Sequence, residues 1–128
     1  MQVAHSTDIG LRALIVLAGS GDNQTTVAKL ADQLEVPVRY LGKITQRMSA
    51  VGWVATTRGR SGGLHASPAG RQATVADVIG LFEPHRVAIN CREPLCPLIQ
   101  HCKLQSVLVD ADHRFLTEMA TVHVSDLV

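Results

Sequence analysis

A three-residue break, Glu35-Val36-Pro37, separates two short aliphatic repeats, and a basic, glycine-rich segment follows directly behind them. No other feature of the chain restricts its fold as strongly. Val27, Leu30, Ala31 and Leu34 recur at helical spacing before the break, and Leu41, Ile44 and Met48 do so after it. Two helices joined so closely read as a helix-turn-helix, whose second helix is the one suited to a DNA groove. Gly52 stops that helix. Trp53-Val54-Ala55-Thr56-Thr57 then reads as a strand, Arg58-Gly59-Arg60-Ser61-Gly62-Gly63 as a tight tip, and Leu64-His65-Ala66 as the returning strand. The order predicts a mostly α fold with a small β wing: a winged helix-turn-helix DNA-binding domain.

Further helices flank this unit. Ser6 or Thr7 is expected to cap a first helix with Asp8 in its first turn, and Leu11, Leu14, Ile15 and Ala18 form its stripe. Ala69-Gly70-Arg71 reads as a turn. Thr74 caps a helix through Val75, Val78, Ile79 and Phe82, which Pro84 closes. A long helix begins near Lys103, with Leu104, Val107, Leu108, Ala111, Phe115 and Met119 at three- and four-residue steps. Only 3% of residues are aromatic against 46% hydrophobic, so the core must be aliphatic. Little of the chain remains to cover the last stripe. The simplest partner is the same helix of a second subunit in a homodimer, and packing back on the first helix is the alternative. The chain thus divides into a winged helix-turn-helix domain (1–83), a cysteine loop (84–102) and a dimerisation helix with its tail (103–128). The tail, Val124-Ser125-Asp126-Leu127-Val128, is amphipathic and suited to cap the fold.

Charge is unevenly spread. Residues 1–71 hold eight Lys/Arg against four Asp/Glu, whereas residues 72–128 hold four against seven. A basic front half suits a polyanion. Arg39, Lys43 and Arg47 recur every fourth residue on one face of the second helix of the pair, suited to phosphates, with Tyr40 and Gln46 placed towards base edges. Arg58 and Arg60 at the wing tip suit a minor groove, and Gly62 and Gly63 are expected to permit positive φ and close backbone approach. Ordinary solvated charge is the competing reading of the helix face, and the basic wing tips the balance towards DNA.

All three cysteines lie within twelve residues, Cys91, Cys96 and Cys102, with four and five residues between them. Three thiolates make a soft metal site one ligand short of four. An iron–sulfur cluster with an unusual fourth ligand is the sharper reading. Structural zinc more often pairs its cysteines closely, disulfides would leave one cysteine over, and redox-active thiols remain open. The opening residues show no signal-peptide pattern, and no apolar run approaches the ~18 residues of a membrane span. A reducing cytoplasm is expected, with no membrane partner. His5, His85 and His101 lie near enough to the loop or N-terminus to be weighed as ligands, but each reads more simply as a surface residue. No Walker loop, HExxH or nucleophile–base pair is visible, so no enzyme activity is expected.

These motifs together resemble a known family. His5-Ser6-Thr7-Asp8-Ile9-Gly10-Leu11-Arg12-Ala13-Leu14, the wing from Arg58 to Leu64, the three-cysteine loop and Ser125-Asp126-Leu127-Val128 are similar, in the same order, to the Rrf-type winged-helix regulators. The cysteine spacing and Leu81-Phe82-Glu83-Pro84 most resemble the NsrR-like, nitric-oxide-sensing branch. Gln105 stands where the related iron–sulfur biogenesis regulators carry a ligating histidine. The resemblance implies a homodimeric repressor of a palindromic double-stranded operator. It implies a [4Fe-4S] cluster in preference to [2Fe-2S], held by Cys91, Cys96, Cys102 and Asp8 of the partner subunit. Nitric oxide is the implied signal, lowering DNA affinity; iron status is the neighbouring alternative within the family.

Overall fold

The computed structural model describes residues 2–60 and 62–128. Its first helix, α1 (His5–Gly19), is the element around which the others are arranged. Ile9, Ala13, Leu14, Leu17 and Ala18 are buried along it, so one aliphatic stripe lies inside the core. The expected cap at Ser6 or Thr7 is corrected. The helix starts two or three residues earlier, behind Ala4, with no side-chain cap. Thr7 is instead fully buried, its hydroxyl donating to the Glu83 carboxylate at 2.6 Å.

α2 (Val27–Gln33) and α3 (Val38–Ala50) form the helix-turn-helix. Thr26 caps α2, its hydroxyl accepting from the Lys29 amide. The chain reverses at Glu35, whose φ of 55° lies in the left-handed region that a residue with a Cβ seldom adopts. Gly52 ends α3 as the sequence predicts. With φ at 79° it lets the Trp53 amide donate to Met48 O and its own amide to Ser49 O, the double bond of a Schellman motif.

The wing is an antiparallel pair, β1 (Val54–Thr57) and β2 (Gly63–Ala66), in register from Val54 opposite Ala66 to Thr57 opposite Gly63. Leu64 also exchanges both backbone hydrogen bonds with Thr25, which ties the wing to the entry of α2. Ala69, Gly70 and Arg71, read from the sequence as a turn, lie in a short helix, α4 (Pro68–Gln72). Ser67 caps it and proline occupies its first turn. α5 (Val75–Phe82) opens on a capping box between Thr74 and Asp77 and buries Val75, Val78, Ile79 and Phe82.

α6 (Leu104–Met119) has no buried residue among its 16. It leans on α5 rather than sinking a face into the core, leaving Leu104 and Val107 half exposed or more. A terminal 3₁₀ turn (Val124–Leu127) returns to the body and buries Val124, with backbone pairing between Ala73 and Val124 and between Val75 and Val122. The tail does cap the fold.

Close backbone packing fixes the wing glycines. A Cβ on Gly63 would stand 2.4 Å from Thr25 O, whereas one on Gly42 in α3 would meet nothing within 4 Å. Gly63→Ala should therefore lower stability by about 1–3 kcal/mol, while Gly42→Ala should raise it by about 0.5–1 kcal/mol through helix propensity. Urea unfolding of the two variants checks the pair; equal effects would contradict the packing account.

Candidate nucleic-acid interface and cysteine loop

Arg39, Lys43 and Gln46 are exposed on α3, as the sequence suggests for a surface that meets a polyanion. Two of their expected companions are engaged within the chain. Tyr40 is half-buried and stacks on His5, ring centroids 5.6 Å apart and planes 13° from parallel. Arg47 donates to Leu81 O and places its guanidinium 4.7 Å above the Phe82 ring. Its first task is to hold the end of α3 against α5. Sequence periodicity places both residues outward but cannot see these neighbours, 34 or 35 residues away.

At the wing tip, Arg58 and Arg60 are exposed and flank Gly59, whose φ is 112°. Ser61 lies outside the described residues. Of the two reasons expected for Gly62 and Gly63, close backbone approach holds and positive φ is corrected, the left-handed glycine of the tip being Gly59. They are glycine because a Cβ would meet backbone, Thr57 O at 2.2 Å for Gly62 and Thr25 O at 2.4 Å for Gly63. Both support the wing that presents the two arginines.

The cysteine loop is organised by its backbone. The Cys96 amide donates to Cys91 O at 3.0 Å, Ile99 to Cys96 O at 3.2 Å and Cys102 to Leu98 O at 2.9 Å, so the three cysteines sit on successive tight turns. Asn90 braces the first turn, its side-chain oxygen accepting from the amides of Arg92 and Glu93. All three thiols are free, two half-buried and Cys102 exposed. Three unpaired sulfurs on a surface loop are a donor set that suits a thiophilic centre. Among the described residues no three His, Cys, Asp or Glu side chains gather into a metal-binding group. Asp8, the implied fourth ligand, is partly exposed on α1 and bonded to Arg12 at 2.7 Å.

Sequence reasoning misses the most connected polar group. Glu83 caps the end of α5 and accepts from the Ala4 amide at 2.8 Å and the Thr7 hydroxyl at 2.6 Å. Its other oxygen accepts from Arg86 at 2.8 Å, and Arg86 donates through Nε and Nη2 to Asp112 on α6 at 3.1 and 2.9 Å. Burial alone would raise the Glu83 carboxyl. The bonds from Thr7, Ala4 and Arg86 outweigh it and hold the group below its ordinary value. The Glu83–Arg86 spacing of three was a local signal; Asp112 and the α1 contacts had none. Beside this network lies an open cleft of about 740 Å³, lined by Val3, Val87, Leu108 and Ala111 with Glu83 and Arg86.

These features define a winged-helix regulator. A sequence model of the Rrf2 family, described as iron-dependent transcriptional regulators, matches residues 3–128, and the chain belongs to that family. Members of the family bind DNA and are typically dimeric. The fold is similar to that of IscR from T. potens, with 18% identity over 99% of this chain and 85% of that one and a TM-score of 0.76. It is similar to CymR (YrzC), the global cysteine regulator of B. subtilis, with 22% identity, 99% and 95% covered and a TM-score of 0.72. It is also similar to a transcriptional regulator from Listeria innocua, with 20% identity, 99% and 85% covered and a TM-score of 0.78. Among the described residues, no helix is long and apolar enough to cross a membrane.

The depressed Glu83 carboxyl gives a pH-dependent prediction. Its stabilising contribution is complete above the ordinary carboxylate range and is lost as pH falls through the folded value. Glu83→Gln should cost about 1–3 kcal/mol at neutral pH, and the gap from the parent should close in acid. Urea unfolding at several pH values measures it; a constant gap would contradict the assignment.

Proposed function

We propose that this regulator is a homodimeric repressor that senses nitric oxide through an iron–sulfur cluster and derepresses nitric-oxide detoxification genes. The observation that supports it most is the free thiol triplet on one surface loop, immediately before a helix none of whose residues is buried. In this reading residues 1–83 read DNA, 84–102 hold the cluster and 103–128 dimerise. Leu104, Val107, Leu108, Ala111, Phe115 and Met119 supply the dimer face. The protein works in the reducing cytoplasm, where the thiols stay available.

Cys91, Cys96 and Cys102 would hold the cluster with Asp8 of the partner subunit, [4Fe-4S] in preference to [2Fe-2S]. When bound, the cluster supplies iron that reacts with nitric oxide. A carboxylate is the hard donor in a soft set and the one most readily given up. Asp8 has a second partner ready: Arg12, one helical turn on, already holds it at 2.7 Å in the single chain. Moving between these partners makes or breaks a tie between subunits without leaving a carboxylate unpaired. The tie fixes two copies of α3 at the ~34–36 Å spacing that successive major grooves of a palindrome require. Arg39 and Lys43 contact phosphates, with Gln46 towards bases, while Tyr40 and Arg47, expected to join them, hold α3 in place through His5 and α5. Arg58 and Arg60 reach the minor groove from a tip built by Gly62 and Gly63.

A thiol-redox regulator is the second reading, favoured by the exposed sulfur of Cys102. One experiment separates the two. A duplex of about 30 bp, selected from a random pool by the anaerobic wild-type protein and sized to span two half-sites, is titrated by fluorescence anisotropy at fixed salt. Nitric oxide should lower affinity by at least about fivefold. Asp8→Ala should blunt that response, and Arg60→Ala should weaken binding before nitric oxide is added. Indifference to nitric oxide with a response to peroxide would replace the cluster reading by the thiol one.

A further inference from the structure

α6 is attached to the body of the molecule largely by polar contacts. None of its residues is buried, yet Asp112 and Arg86 are each only 14% exposed at the side chain. Arg86 grips Asp112 with two nitrogens, reaches Glu83 and the Gln2 carbonyl with a third, and lies over the Phe115 ring at 5.5 Å. Glu83 in turn holds the Ala4 amide and the Thr7 hydroxyl. The first turn of α1 is therefore bolted to α6 through two carboxylates and one guanidinium.

The same turn touches α3. His5, between Ala4 and Thr7, stacks on Tyr40 in the first turn of α3. At its other end α3 is fixed, because Arg47 binds Leu81 O and the face of Phe82, and Phe82 is buried in the core. One end of α3 is thus anchored to α5 at a side chain buried in the core, while the other rests on a ring carried by the turn that α6 holds.

We infer that Glu83, Arg86 and Asp112 are positioning residues that transmit the pose of α6 to the DNA-reading end of α3 through the His5–Tyr40 stack. The inference rests on the proposed roles of α3 and α6, and goes beyond them by naming the route between them. A planar guanidinium held by two carboxylates has a fixed orientation, so a shift of Asp112 is passed on as a shift of Glu83 rather than absorbed. Asp8 follows Thr7 directly and moves with the same turn. Coupling is physical only where one element has two arrangements that both ends can bias. Here that element is the first turn of α1, pivoting α3 about Arg47.

Amide hydrogen exchange on the full-length protein, without DNA or metal, tests the route through a double-mutant cycle. Asp112→Asn should speed exchange at residues 8–11 of α1 and 41–45 of α3 by at least about fivefold, the low end of couplings between sites. The amides of α2 and the wing strands should stay unchanged. In a His5→Ala background the same substitution should still loosen residues 8–11 but no longer residues 41–45. Arg86→Lys, which keeps the charge without the two-pronged grip, should reproduce the Asp112→Asn pattern. An unmoved α3, an α3 that loosens equally without His5, or a uniform rise that includes α2 would overturn the inference. Because no cluster or operator enters the measurement, its failure is distinct from failure of the nitric-oxide reading.

Discussion

Burial of α1 is the constraint on which the rest of the molecule depends. A chain with two phenylalanines and one tryptophan must build its interior from small aliphatic groups, and Leu14 and Leu17, both fully buried, lie at its centre. α1 packs against α3, α5, α4, β2 and the terminal turn. Such an arrangement leaves its first turn, at the edge of the core, as the place where several elements meet. That turn carries Thr7 inward, His5 towards α3 and Asp8 outward. A helix that organises the core therefore also presents a candidate ligand and supports the helix proposed to read DNA.

Partial burial explains why the join to α6 is ionic. None of the helix's residues is buried, so hydrophobic burial within one chain contributes little to its attachment. Glu83, Arg86 and Asp112 are shielded enough to interact strongly and open enough to limit the desolvation cost. Fixing α6 by a few directional bonds leaves its Leu104 and Val107 side exposed for the proposed contact with another copy, whereas an aliphatic contact would consume that face. The cysteine loop immediately precedes this helix, with Leu95 and Leu98 about two-thirds exposed.

Local chemistry was legible in the sequence and long-range contacts were not. The aliphatic stripes of α2 and α3, the Thr74 cap, the stop at Gly52 and the glycine-rich wing all follow from spacing within a few residues. α4 was overlooked although Ser67-Pro68 is a proper helix start, because Gly70 reads as a turn when its close contact with the Trp53 backbone is unknown. Thr7 looked like a cap because its real partner, Glu83, is 76 residues away. Tyr40 and Arg47 looked like free surface for the same reason. Of the candidate site, the three sulfurs were evident at once. Their backbone turns, the Arg12 partner of Asp8 and the network behind them required the fold.

The account as a whole stands on the sulfur triplet holding an iron core that governs DNA affinity. Iron and acid-labile sulfide measured on protein isolated without oxygen, alongside its affinity for the selected duplex, address that claim most directly. The account predicts about four of each per chain, as a [4Fe-4S] centre requires, and weaker DNA binding once they are removed. Protein free of iron and sulfide that binds the duplex at full strength would contradict it.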